Sequence, residues 1–274
     1  MTIAVGGAEI VVVPDPEALA EQAADRIRDA IDDAVRARRV AHLALTGGST
    51  AAGVFRALAA PPLREAVPWQ HVHLWWGDER FVPRRDPLSN AGLADEFLLP
   101  GADGRPGIPV PAGQVHPVPC DEALAAGRDA EACAADYARQ LRALLPVDDA
   151  GWPVFDLVLA GIGFDGHLLS VFPGSAAFGR REWAVGVPAP AHIEPRVARV
   201  TLNPAVIGAA RAVLAMAQGT GKAAILAMIF GPQRDPLRWP AQLALRPGAT
   251  WILDRAAAGG LTGILAPDDP GGRR

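Results

Sequence analysis

Apolar positions along this chain alternate between two periods. Short, largely apolar runs at 10–13, 41–45, 72–76, 154–160, 197–202, 212–217 and 251–253 read as strands. Longer stretches between them carry a helical repeat. Asp15 is placed to cap a helix with Pro16 at its first position. Leu19, Ala23, Ile27, Ile31 and Val35 then recur at four-residue spacing and give that helix one apolar face. Further helices are expected from the Gly-rich turn at 46–50 through Leu58, over 90–99 and over 222–230. One long Ala-rich helix is expected over 123–145, with Leu124, Tyr137, Leu141 and Leu144 on its apolar face. The run 154–160 is apolar on both faces, which predicts a central strand. Repeated strand–helix alternation predicts an α/β fold, with a mostly parallel β-sheet and helices on both faces. Residues 100–119 hold ten Pro or Gly and read as an irregular excursion. With no internal repeat and no linker, residues 1–266 read as a single domain and 267–274 as a frayed tail.

Half of the 274 residues are hydrophobic, enough for a well-buried core. The net charge of −4 supplies no basic field, so neither nucleic acid nor anionic lipid is an expected partner. The opening MTIAVGGAEIVVV lacks a basic n-region and is cut by Pro14-Asp15, so it reads as a strand rather than a signal peptide. No apolar run has the length to span a bilayer. Cys120 and Cys133 are too few and too far apart in sequence for a disulfide framework or a zinc site; they read as unpaired thiols of a reducing cytosol. No set of His, Cys and Asp has metal-ligand spacing, so no metal is expected. The picture is of a cytoplasmic protein whose partner is a small molecule.

Three turns could carry chemistry, and each follows a strand, where ligands bind in open α/β sheets. Thr46-Gly47-Gly48-Ser49-Thr50 joins a strand to a helix. Its glycines allow close backbone approach, and the helix start offers free N–H groups to an anion. It lacks the Gly-Lys-Ser/Thr ending of a nucleotide P-loop, and an ordinary capped helix start explains it equally well. Trp75-Trp76-Gly77-Asp78-Glu79-Arg80 places three charges after a strand. Arg80 can grip a phosphate through its fork, and Asp78 or Glu79 can orient a base or a sugar hydroxyl. The plain alternative is a solvated loop with a local ion pair. In the third turn, Gly161, Gly163 and Gly166 fit G-x-G-x-x-G, but Pro173-Gly174 breaks the helix that a dinucleotide site needs. The same turn carries Asp165 and His167, and an imidazole suits general-base work near neutrality. His71 and His73 straddle the start of a strand, His42 sits at a strand start, and His116 and His192 lie in Pro-rich loops; these read as packing or surface residues.

Taken together, the motifs resemble the signature of 6-phosphogluconolactonases. The match rests on the 161–166 glycine turn with His167 and Phe172-Pro173-Gly174-Ser175, preceded by TGGST at 46–50, WGDER at 76–80 and Ser89-Asn90. Arg199-Val200-Thr201-Leu202, Gly221-Lys222-Ala223 and Trp251-Ile252-Leu253-Asp254 continue it in order. The resemblance implies a Rossmann-like fold shared with glucosamine-6-phosphate isomerases and deaminases. It implies hydrolysis of 6-phospho-D-glucono-1,5-lactone, the second step of the oxidative pentose phosphate pathway, without a cofactor. His167 would be the base that activates water, with Asp165 and Asp78 as further catalytic candidates. Gly47, Gly48, Ser49, Thr50, Arg80, Gly163, Arg199 and Lys222 would hold the sugar phosphate, and backbone N–H groups of the 161–163 turn would face the oxyanion.

Two departures stand out. The family carries Thr-Ala after the histidine where this chain has Leu168-Leu169, and the Pro-rich 100–119 stretch is long. Two rivals remain. The related isomerases place an acid five residues after the motif histidine; here that position is Phe172. A non-catalytic sugar-phosphate sensor would keep TGGST and Lys222 but would have no use for His167. A monomer or weak homodimer is expected.

Overall fold

Gly6 and Gly7 turn the chain between β1 (Thr2–Val5) and β2 (Ala8–Val13), an antiparallel hairpin at the edge of the main sheet. The computed structural model describes residues 2–261; the expected tail at 267–274 and the last residues of the expected domain, 262–266, lie outside these. Helix α1 (Pro16–Arg38) begins as its sequence predicts, with Asp15 Oδ1 accepting the Ala18 N–H at 2.9 Å. Leu19, Ala23, Ile27 and Ile31 are buried, and Val35 is half-buried at the end of the same face.

The chain then lays down β3 (Ala41–Leu45), α2 (Gly48–Ala59), α3 (Leu63–Ala66), β4 (Val72–Trp76), β5 (Asp78–Arg80) and α4 (Asn90–Phe97). Next come β6 (Val115–His116), α5 (Cys120–Ala125), α6 (Ala130–Leu144), β7 (Leu157–Gly161), β8 (Ala184–Val187) and β9 (Arg199–Leu202). Among the described residues these are followed by α7 (Ala205–Ala209), β10 (Ala212–Ala217), α8 (Ala223–Phe230) and β11 (Ala249–Asp254).

Among the described residues, eight strands form the main sheet in the order β1-β2-β11-β10-β7-β3-β4-β6, parallel throughout except at the β1–β2 hairpin. Strand β7 is central and buried along Leu157–Ala160, which accounts for its apolar run on both faces. From β3 the sheet grows toward β4 and β6, whereas from β7 it grows the other way, toward β10 and β11. The β3–β7 boundary is therefore the topological switch point, and the crevice at the carboxyl ends of these strands is where such a fold binds ligands. The TGGST turn leaves β3 there, and the Asp165–His167 turn leaves β7 there.

Several expectations need correction. The long helix over 123–145 is two helices: Gly127 takes φ 64 between α5 and α6, and Asp129 caps α6 by accepting the Ala132 N–H at 2.9 Å. Leu124 and Leu144 are exposed rather than on the apolar face, which is built by Cys133, Tyr137 and Leu141. The 100–119 stretch is irregular as expected over most of its length, but Val115–His116 adds the edge strand β6. The segment after β4 is not a solvated loop. Asp78–Arg80 pairs with β9, and β9 pairs with β8, forming a separate three-stranded antiparallel sheet. Tyr137 fixes the junction between the two sheets: its hydroxyl donates to the Trp76 carbonyl at 2.9 Å and accepts the Trp76 N–H at 2.8 Å. Cys120 and Cys133 are both buried free thiols.

Candidate active site

Helix α2 opens without a side-chain cap, because Gly47 at its N-cap position has no side chain. The first amides of a 12-residue helix are thereby left to a ligand or to water, at its positive end. Gly48 takes φ 90, and a Cβ there would meet nothing within 4 Å, so the backbone conformation rather than crowding calls for glycine. Around this helix start the fold gathers cations. Arg80 on β5 and Arg199 on β9 are direct cross-strand partners. Like charges in that relation repel unless an anion sits with them. Burial lowers the Arg199 pKa from its ordinary value and the neighbouring Arg80 charge lowers it further, against the opposing pull of Asp78 and Glu79. Arg199 is held by the carbonyls of Pro195 (2.8 Å) and Val197 (3.2 Å), and Arg80 Nη1 by that of Leu88 (2.7 Å).

Lys222 completes the set. Its ammonium donates to the Ile162 carbonyl at 2.6 Å and lies 3.4 Å from the centroid of the Phe164 ring, a cation–π contact. Burial lowers its pKa, and Asp165 partly offsets the shift. Asp254, the last residue of β11, accepts the Gly219 and Ala257 N–H groups and so fixes the turn that delivers Lys222.

On the other side of the crevice, His167 Nδ1 lies 2.6 Å from Asp165 Oδ1, which also accepts the His167 backbone N–H at 3.0 Å. Burial would raise the Asp165 carboxyl, but the hydrogen bonds and charge of His167, with a further bond from His192, outweigh it. They hold the carboxyl well below the usual carboxylate range. An ionised Asp165 fixes the proton of a neutral His167 on Nδ1 and leaves Nε2 as the nitrogen able to take a proton from the cavity. Gly163 is needed for space, because a Cβ there would run into the His167 ring. Its N–H donates to the His167 carbonyl at 2.9 Å, so the expected oxyanion donor at Gly163 is already occupied.

The two acids of the WGDER motif divide their tasks. Glu79 is buried and accepts the N–H groups of Arg80, Asn90 and Ala91 and the Ser89 hydroxyl. Burial pushes its pKa up, and the backbone N–H donors oppose the shift. It anchors the start of α4 and does not orient His167. Asp78 is buried at the cavity wall, where it accepts the Ser170 hydroxyl at 2.6 Å. Leu168 is in the core. Leu169 reaches the cavity with φ 55, a left-handed conformation that costs a branched side chain roughly 1 kcal/mol. Its Cδ2 fills the space beside Gly77.

One cavity of about 270 Å³ collects Gly47, Gly48, Ser49, Thr50, Asp78, Arg80, Gly163, His167, Arg199 and Lys222. Asp165, the remaining candidate, stands behind His167 rather than on the wall. Sequence reasoning missed Asn90, Phe164, Leu169 and Glu194 on the wall, Ser170 against Asp78, and His192 against Asp165. Of these, His192 carries a signal, a titratable side chain in a loop, but its position in the sequence marks it only as a packing or surface residue. Among the described residues no group of His, Cys, Asp and Glu is placed to hold a metal ion, and no helix is long and apolar enough to cross a membrane.

A family model described as glucosamine-6-phosphate isomerases/6-phosphogluconolactonase matches residues 14–253. The chain is 37% identical over 264 residues to the 6-phosphogluconolactonase of Streptomyces coelicolor, covering 94% of this chain and 97% of that one. It is 36% identical over 251 residues to the 6-phosphogluconolactonase of Mycobacterium tuberculosis, covering 91% and 96%. The structure of 6-phosphogluconolactonase from Trypanosoma cruzi superposes with a TM-score of 0.81 at 28% identity, covering 95% of this chain and 99% of that one. With its switch-point crevice, its cationic helix start and its matching motifs, the chain belongs to the glucosamine-6-phosphate isomerase/6-phosphogluconolactonase family.

Proposed function

We propose that this protein hydrolyses 6-phospho-D-glucono-1,5-lactone to 6-phosphogluconate, with His167 as general base. The observation that carries the reading is the 2.6 Å contact between Asp165 and His167 Nδ1, in a cavity that also holds Arg80, Arg199 and Lys222. The cations and the α2 amides bind the phosphate, remote from the reacting carbon, and their binding energy orients the lactone. Water attacks C1 while its proton passes to His167 Nε2. The tetrahedral oxyanion then collapses, the bond from C1 to the ring oxygen breaks, and the imidazolium returns the proton to that departing oxygen, which becomes a hydroxyl. Asp165 stabilises the imidazolium between the two steps. Phe172 offers no acid where the isomerases have one; its ring instead packs 4.7 Å from that of His167.

The test supplies freshly generated lactone and follows acid release against the spontaneous rate, with glucosamine 6-phosphate assayed in parallel for ammonia. Acid release well above background with no ammonia is expected; ammonia without lactone hydrolysis overturns the reading. Lys222→Ala removes a charge-assisted phosphate contact and is expected to raise KM roughly tenfold with little change in kcat. Steady-state titration of the lactone measures both.

A further inference from the structure

Asp165 is shared between two histidines. Oδ1 faces His167 Nδ1 at 2.6 Å, and Oδ2 lies 2.9 Å from His192 Nε2. Phe172 packs against both rings, with centroids 4.7 Å from His167 and 6.0 Å from His192. His192 belongs to the segment between β8 and β9, and the next two residues, Ile193 and Glu194, line the cavity. Pro195 and Val197 of the same segment hold the Arg199 guanidinium. The segment is therefore fastened at both sides of the site.

We infer that His192 is a positioning residue, which acts through Asp165 to hold His167 in its reactive tautomer and orientation. The inference rests on the proposed role of His167 as base. A carboxylate bonded through one oxygen can rotate about its Cβ–Cγ bond. A donor on the second oxygen fixes that rotation and keeps Oδ1 in line with Nδ1–H. The same donor stabilises the carboxylate, so the proton shared with His167 stays on the ring. His192 touches the lactone through neither step. Its side chain is 54% exposed, so its removal leaves the fold intact.

The experiment compares His192→Ala, His192→Gln, Asp165→Ala and the Asp165→Ala/His192→Ala double variant by steady-state hydrolysis of 6-phosphogluconolactone, with thermal midpoints alongside. His192→Ala is expected to lower kcat about 3- to 10-fold, the scale of one half-exposed hydrogen bond to a charged group, with KM within about twofold. His192→Gln, which keeps an N–H donor, recovers most of that loss. In the Asp165→Ala background the second substitution costs nothing further, as a coupled pair requires. Wild-type kcat in His192→Ala overturns the inference. So does an equal loss in the Asp165→Ala background, or a Gln variant as impaired as the Ala variant. His167→Ala separates the two readings: full turnover there removes the proposed base itself, whereas an inactive His167→Ala beside a silent His192→Ala removes only the role of His192.

Discussion

His167→Ala is expected to lower kcat for lactone hydrolysis by about 10²- to 10⁴-fold, the contribution of a positioned general base. KM should change little, because the helix start and the cations proposed to bind the phosphate stay in place. The product is expected to bind the variant as it binds the wild type, which calorimetry with 6-phosphogluconate measures. Asp165→Asn sharpens the point. An amide in place of the carboxylate can present its N–H₂ to Nδ1, and the ring then carries its proton on Nε2, facing the water it should deprotonate. A kcat loss approaching that of His167→Ala follows, by the logic of a wrongly set tautomer in a catalytic dyad. Undiminished turnover in His167→Ala would sink the mechanism, and a fully active Asp165→Asn would remove Asp165 from it. The lactone is an activated ester, so residual rates must be measured against its spontaneous opening.

What could be read from the sequence was whatever local pattern encodes. The apolar runs of β3, β4, β7 and β10 need only one-dimensional periodicity, and Asp15-Pro16 marks the start of α1 without help from the rest of the chain. The glycine turns were legible as sites because strand ends at a switch point bind ligands whatever their sequence. Strand β5 was hidden because it is three residues long, charged, and a strand only through its pairing with β9. In the sequence Glu79 is as able as Asp78 to orient a base or a sugar hydroxyl. Its task, capping α4, exists only once 79 and 90–91 meet in space. Ser170 finds Asp78 across 92 residues, and His192 finds Asp165 across 27, from a Pro-rich loop with no period to read. Residues whose partners are set by tertiary packing leave no trace in spacing, which is why the turns were found and their support was not.

Acid is expected to destabilise the protein from the end of the sheet remote from the site. His42 on β3 and His73 on β4 are register partners with ring centroids 4.9 Å apart, and His116 on β6 stacks on Trp75 at 4.1 Å. His73 Nδ1 lies 2.9 Å from His116 Nε2, and Trp75 Nε1 donates to His42 Nδ1 at 3.2 Å, a bond that a protonated His42 cannot accept. Burial lowers the pKa of His42 to about 4, reinforced by repulsion from His73 and only partly opposed by Asp156. That carboxylate is already engaged by Arg38 at 2.7 Å and Arg211 at 3.3 Å. Burial, with the charges of His73 and His42, likewise lowers His116 to about 4, and burial lowers His73. Each folded-state value lies below the unfolded one near 6.5, so the unfolded chain binds protons first as pH falls. Stability is complete above about 6.5 and is lost as pH falls through 6.5 toward 4. At full weight the depression of His42 and His116 amounts to about 3 kcal/mol each. Half-exposure of His116 and solvent screening reduce the pair to about 3 kcal/mol together. About three quarters of this is lost by pH 4.5, so at about 2–4 °C per kcal/mol the thermal midpoint should drop by roughly 5–9 °C between pH 7.5 and 4.5. His42→Asn keeps an acceptor for Trp75 Nε1 without a titrating ring, and His116→Gln does the same beside His73. The double variant should lose at least half of this pH dependence in a melting series. An unchanged slope would place the acid lability among the carboxylates instead, since those that form ion pairs in the folded state also lose stability as acid protonates them.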